Sequence, residues 1–174
     1  MSGWLTPTSY VPRISQIDYA QLRADGIRGV VVDLDNTLVG YHALDPDPFD
    51  AAWVSRAPDN GIRIIMVTNN STPWARGVAE RLDIPIVANA RKPLGRGFRR
   101  ALELLALPRE AVVVIGDQLF TDVLGAKLFG LRVILVDPLV KHDPWNTLPL
   151  RLLERWLLRD LPRTHKDLAD RTDL

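Results

Sequence analysis

Two aspartates two residues apart, Asp33 and Asp35, close an apolar run at residues 29–34 and are followed by Asn36 and Thr37. Three more groups of reactive type stand downstream: Thr68-Asn69-Asn70, Arg91-Lys92-Pro93, and Gly116-Asp117 with Asp122 beyond it. Carboxylate oxygens are hard ligands, and Mg²⁺ takes one or two of them together with waters and a substrate phosphate. Asp33 and Asp117 can share such an ion while one oxygen of Asp33 stays free to attack phosphorus. A carboxylate nucleophile divides phosphate-ester hydrolysis into two easier steps. Asp35, two residues on and outside the strand, can protonate a leaving alkoxide and later deprotonate water. The Thr68 hydroxyl can donate to a phosphoryl oxygen, with Asn69 beside it as a further substrate contact. Lys92 can neutralise charge on the transferring group and on the crowded carboxylates.

Taken alone, Asp-x-Asp-x-Thr is a weak signal, because Asp, Asn and Thr are common turn formers after any strand. Asp117 alone could cap a helix, and Lys92 alone could be a solvated charge. The elements around them raise the specificity. Runs at 29–34, 63–68 and 111–115, with weaker ones at 85–88 and 132–136, are near-continuously apolar and rich in Val and Ile. Strands of a parallel sheet covered on both faces have this composition. Segments with helical spacing lie between them, at 47–57, 73–82, 94–107 and 121–129, with Thr72 as a cap and Gly130 as a terminator. Alternating strand and helix predicts an α/β fold, a doubly wound parallel sheet. Ligands bind at the carboxyl ends of strands in such sheets, so four strand ends bring the carboxylates, the hydroxyl and the lysine to one crevice.

The chain has 174 residues, 22 basic and 21 acidic side chains and a formal charge of +1, a balance that calls for no nucleic-acid partner. It contains no cysteine, which excludes disulfides, thiolate metal sites and Cys nucleophiles. No signal peptide is expected from its first residues, and its apolar runs are too short to span a bilayer. The expected organisation is a single domain over residues 1–161, including a short helix around 17–24, and a polar, mobile tail over 162–174. The expected location is the cytoplasm, with the inner face of a membrane as a peripheral alternative.

In order and spacing, the motifs at 33–38, 68, 92 and 116–122 resemble those of the haloacid dehalogenase (HAD) superfamily of phosphohydrolases. A closer resemblance, to the YqeG-type branch of subclass IIIA, rests on residues 7–10, 27–38, 68–70, 91–93 and 116–126. Thr68 stands where close relatives often carry Ser; the hydroxyl is kept. The resemblance implies a Rossmann-like fold, Asp33 as nucleophile, and Asp35 as acid/base. It also implies Mg²⁺ held by Asp33, the Asp35 carbonyl and Asp117, with Asp122 supporting the site. Related mitochondrial members hydrolyse phosphatidylglycerophosphate, which makes that anionic phospholipid a candidate substrate. About 30 residues separate the first two strands, the length of an ordinary crossover, so no cap domain is expected.

Other features carry less. Arg91, Lys92, Arg96, Arg99 and Arg100 form a basic cluster that suits a solvated helix face as well as an anionic substrate. Residues 147–161 are amphipathic and suit docking on the core or on a membrane surface. His42 and His142 are lone loop histidines. Two other functions fit the same residues: a phosphatase of soluble esters or nucleic-acid ends, and a non-catalytic phosphoryl-binding module. The second has no need of Asp35.

Overall fold

The structure, a computed structural model, describes residues 5–40 and 43–140. The segment 147–161, the tail from 162, His42 and His142 lie outside those residues. The strands are β1 (Ser9–Val11), β2 (Gly29–Val32), β3 (Arg63–Val67), β4 (Ile86–Val87), β5 (Val112–Gly116) and β6 (Arg132–Val136). They form one sheet in the order β1-β6-β5-β2-β3-β4, and every pairing is parallel. The helices are α1 (Tyr19–Ala24), α2 (Pro48–Ser55), α3 (Pro73–Arg81), α4 (Arg96–Leu105) and α5 (Leu124–Leu128).

The near-continuous apolar runs are explained by cover on both faces of the sheet. Val30 and Val32 of β2 pack with Tyr19, Trp53 and Val78 from α1, α2 and α3. Val31 packs on the other side with Phe98, Ala101 and Ala126 from α4 and α5. From β2 the chain moves towards β3 and β4, whereas from β5 it moves the opposite way to β6. The reversal falls between β2 and β5, where a doubly wound sheet opens its ligand crevice. Register makes the two carboxyl ends coincide: Val32 pairs with Ile115, and the Asp33 amide donates to the Ile115 carbonyl at 2.9 Å.

The 33–62 connection among the described residues holds α2 and a short 3₁₀ turn, and 68–85 holds α3, so neither carries a cap domain. Thr72 caps α3 as expected, its hydroxyl accepting from the Ala75 amide. Three expectations need correction. Ser9–Val11 is a sixth strand, parallel to β6, in a stretch read from the sequence only as far as its short helix. That helix begins at Tyr19, because Asp18 caps it by accepting from the Ala20 amide. The helix expected over 121–129 starts as a wide π-helical turn, Leu119–Val123, before α5.

The N-terminal segment is fastened to the sheet's cover by Trp53. Its ring is buried, stacks on Tyr19 with centroids 4.6 Å apart, and donates from Nε1 to the Ile17 carbonyl at 2.7 Å. The Tyr19 hydroxyl returns a hydrogen bond to the Trp53 carbonyl. Trp53→Ala removes the ring and leaves the Ile17 carbonyl unpaired, and is expected to cost about 3–5 kcal/mol. Urea unfolding measures this; a loss below about 1 kcal/mol would mean that the stack is dispensable.

Candidate active site

Asp33 follows β2 directly and is 5% exposed, beside Asp117 and Asp122. One oxygen from each of these three carboxylates lies within 4.8 Å of the other two. Lys92 enters from the segment after β4 and stands between two of them, its Nζ donating to Asp33 Oδ1 at 2.5 Å and to Asp122 Oδ1 at 2.6 Å. The second oxygen of Asp122 accepts from the Gln118 amide at 3.2 Å, a contact made inside the π-helical turn. Thr37 donates its hydroxyl to Asp117 Oδ1 at 2.9 Å and also lies 3.4 Å from Asp33 Oδ2.

Asp35 is separate from this acidic group. Its Oδ2 accepts from the Thr68 hydroxyl at 3.1 Å and its Oδ1 from Asn70 Nδ2 at 3.2 Å. The turn that turns Asp35 away passes through Asn36, whose φ of 66° is left-handed and tolerated best by Gly, Asn and Asp. The Asn36 amide clasps the backbone of Val140, accepting from its N–H at 2.9 Å and donating to its carbonyl at 3.1 Å. Asn69 makes the same kind of clasp on Lys92, accepting from its N–H at 2.6 Å and donating to its carbonyl at 3.1 Å. Expected to touch substrate, Asn69 instead has both polar groups on the Lys92 backbone. Lys92 itself is not part of a surface basic cluster, since it is buried.

The electrostatics follow from burial. Loss of water pushes the Asp33 carboxyl up from 3.8 to about 7; Lys92 pulls it down, and Asp122 pushes it up further. Burial, with Asp33 and Asp122 adding repulsion, likewise raises Asp117 well above the carboxylate range. Burial works against the charge of Lys92, but Asp122 and Asp33 outweigh it and raise the ammonium's pKa. Three ionised carboxylates against one ammonium leave a formal charge of −2 (three negative, one positive) in a dry site. Asp117 Oδ2 is buried without a hydrogen-bond partner. A divalent cation meets both needs, and the all-oxygen donor set suits a hard one.

Sequence comparison identifies the family. The sequence model of the haloacid dehalogenase-like hydrolases matches residues 50–130, which include Thr68, Lys92, Asp117 and Asp122 and begin beyond Asp33 and Asp35. Over 163 residues the chain is 38% identical to the probable phosphatase YqeG of Bacillus subtilis (strain 168), covering 94% of this chain and 95% of that protein. The chain belongs to the haloacid dehalogenase-like phosphatases, in the YqeG branch. This phosphatase also matches phosphatidylglycerophosphate phosphatase 1 of Chlamydomonas reinhardtii, a chloroplast protein, at 26% identity over 164 residues. That match covers 88% of this chain and 61% of the other. The cobalt-bound deoxy-D-mannose-octulosonate 8-phosphate phosphatase of Haemophilus influenzae shares the fold with a TM-score of 0.53 and 15% identity. It covers 64% of this chain and 69% of that one.

The phosphatase thus brings the expected carboxylates, lysine and threonine to one end of the sheet, in two groups. Asp33, Lys92, Asp117 and Asp122 meet directly, while Asp35 and Thr68 pair alongside. Reading motifs missed Thr37 and Asn70, although both stand in the quoted strings. Their polar side chains next to expected site carboxylates were the available signal.

The raised carboxyls have a consequence for stability. Folded Asp33 and Asp117 hold protons to higher pH than they do unfolded, so the folded chain binds more protons and loses stability as pH rises. For Asp33 the window runs from about 4 to about 7. In chelator, the stability of Asp33→Asn relative to the wild type should therefore rise across that range. A difference independent of pH would show that Asp33 is ionised throughout.

Proposed function

We propose that this phosphatase is a Mg²⁺-dependent phosphomonoesterase working through an aspartyl-phosphate on Asp33, and that its substrate is phosphatidylglycerophosphate. The observation that carries the chemistry is Lys92 Nζ between Asp33 and Asp122, in an acidic group whose third member, Asp117, keeps one buried oxygen unpartnered. Asp33, Asp117 and the Asp35 carbonyl would hold the ion, with Asp122 completing the acidic group. Bound there, it supplies positive charge to the phosphoryl oxygens and lowers the cost of ionising Asp33.

The residues divide the work. An oxygen of ionised Asp33 attacks phosphorus, and the bond to the leaving oxygen breaks on the opposite side. Asp35 gives that oxygen its proton, so the product leaves as an alcohol. The Thr68 hydroxyl, resting on Asp35, turns to a phosphoryl oxygen, while Lys92 offsets the charge gathering on the transferred group. Asp35, now a base, takes a proton from water; the hydroxyl attacks phosphorus, inorganic phosphate leaves, and Asp33 is restored. Asn69 holds the Lys92 backbone in place throughout.

Two observations support the lipid substrate: the similarity to a protein named for that reaction, and the lack of a cap among the described residues. An open crevice suits a phosphate that stays anchored in an aggregate. A phosphatase acting on a lipid made in the membrane would work at the membrane's inner face, as a peripheral protein.

Asp33→Asn should abolish phosphate release with the fold intact, since the amide cannot attack phosphorus. Asp35→Asn should lower turnover by roughly 10²–10⁴-fold while calorimetry still registers Mg²⁺ binding, since its carbonyl is unchanged. Wild-type turnover in folded Asp33→Asn would sink the mechanism, as would full activity after exhaustive chelation. Phosphate release from phosphatidylglycerophosphate in mixed micelles, set against a panel of soluble esters, tests the substrate. Consistent preference for the soluble esters would remove the lipid.

A further inference from the structure

Among the described residues, five large apolar side chains are left in water: Leu44, Phe49, Leu94, Leu104 and Leu128. Their placement is uneven. Every strand is parallel and each main helix returns antiparallel to it, so the starts of α2 and α4 lie at the carboxyl edge where the crevice opens. Phe49, 74% exposed, is in the first turn of α2; Leu44, 72% exposed, is in the loop before it. Leu94, 65% exposed, lies between Lys92 and the start of α4. α2 covers one face of the sheet and α4 the other, so apolar side chains flank the crevice mouth on both sides. Leu104 and Leu128, near the ends of α4 and α5, lie at the opposite edge.

The backbone holds these side chains outward. The Leu44 carbonyl accepts from Trp74 Nε1 and from Arg81 Nη2, each at 3.0 Å. The Phe49 amide is fixed by the Asp47 cap at 3.0 Å, and the Leu94 amide donates to the Arg91 carbonyl at 2.8 Å. Charge at the same edge is unbalanced. Asp45 and Asp47 are answered by Arg81 and Arg13, and Arg100 is answered by Glu103. Arg91, Arg96 and Arg99 are exposed and have no ion pair among the described residues. Exposed Asp137 opposes them, but it follows β6, on the far side of β2 from β4 and α4.

We propose that this rim seats the crevice on an anionic lipid bilayer. Leu44, Phe49 and Leu94 enter the interface, and Arg91, Arg96 and Arg99 meet lipid phosphates. The inference rests on the reading of the site as a phosphatase of a lipid-borne ester and assigns the surface that presents that ester. Apolar side chains ringed by unpaired cations match a surface whose interior is apolar and whose headgroups are anionic.

The test is cosedimentation with vesicles made of equal parts phosphatidylglycerol and phosphatidylcholine. The wild type should bind, and binding should weaken with salt as the charges are screened. Phe49→Ser and Leu94→Ser should each lower partitioning about tenfold, and Arg91→Gln or Arg96→Gln about fivefold. Leu104→Ser and Leu128→Ser should bind as the wild type does, and all six variants should keep hydrolysis of a small soluble ester. Wild type remaining in the supernatant, or rim variants binding undiminished, overturns the proposal. So does self-association in sedimentation velocity that Phe49→Ser abolishes, because the rim then belongs to a second copy. Vesicle binding without lipid hydrolysis would leave the docking surface standing and remove the substrate. Lipid hydrolysis in micelles by a protein that ignores vesicles would do the reverse.

Discussion

Everything at the crevice answers one constraint: three carboxylates are packed together where water cannot screen them. Isolated buried ions of this kind are strongly unfavourable unless paired and hydrogen-bonded. The chain answers with Lys92 between two acids, Thr37 and the Gln118 amide on their remaining oxygens, and carboxyl groups whose proton affinity rises to limit charge. What is left over is one unpaired oxygen and a deficit of positive charge. That remainder fits a centre whose acidic group can take up a divalent cation.

Such crowding requires a rigid frame. Parallel register brings β2 and β5 to an end side by side, so their next residues meet without help from long loops. Gly116 ends β5 because space is absent there: a Cβ would come within 2.5 Å of Asp122 Oδ2. The segment carrying Lys92 is less regular, with left-handed backbone at Asn89 and Arg91. The Asn69 clasp compensates, fixing both backbone polar groups of Lys92 so that the long side chain starts from a set point.

The sequence made much of this legible, because the reactive residues sit at the ends of strands that are apolar on both faces. β2, β3 and β5 stand out for that reason, and Asp33, Thr68 and Asp117 are the residues that directly follow these strands. β1 was missed because Ser9-Tyr10-Val11 is short, half-buried and at the sheet edge, where neither alternation nor a long apolar run develops. The π-helical turn was missed because Asp122 within it is held by a distant partner, Lys92, a contact that local propensity does not register. The task of Asn69 was hidden for a related reason. An amide next to a hydroxyl at a strand end looks like a ligand contact, and nothing local says that its partner lies on the segment after β4.

Thr68, Asn69 and Asn70 follow β3 directly: the Thr68 amide still donates to the Val87 carbonyl at 3.1 Å, and the chain then bends at Asn69, with the Asn70 amide donating to the Thr68 hydroxyl at 3.0 Å. Thr68 and Asn70 reach Asp35, while Asn69, between them, reaches Lys92. Three consecutive residues therefore hold two arms of the site from different parts of the chain by a simple rule of alternation, the outer two on Asp35 and the middle one on Lys92. The rule makes the tripeptide tolerant in one respect and brittle in another. A change of side chain disturbs one arm and leaves its neighbour's hold in place. Adding or removing a single residue shifts the alternation against both arms at once. At this point of the chain, length is a tighter constraint than the identity of any one side chain.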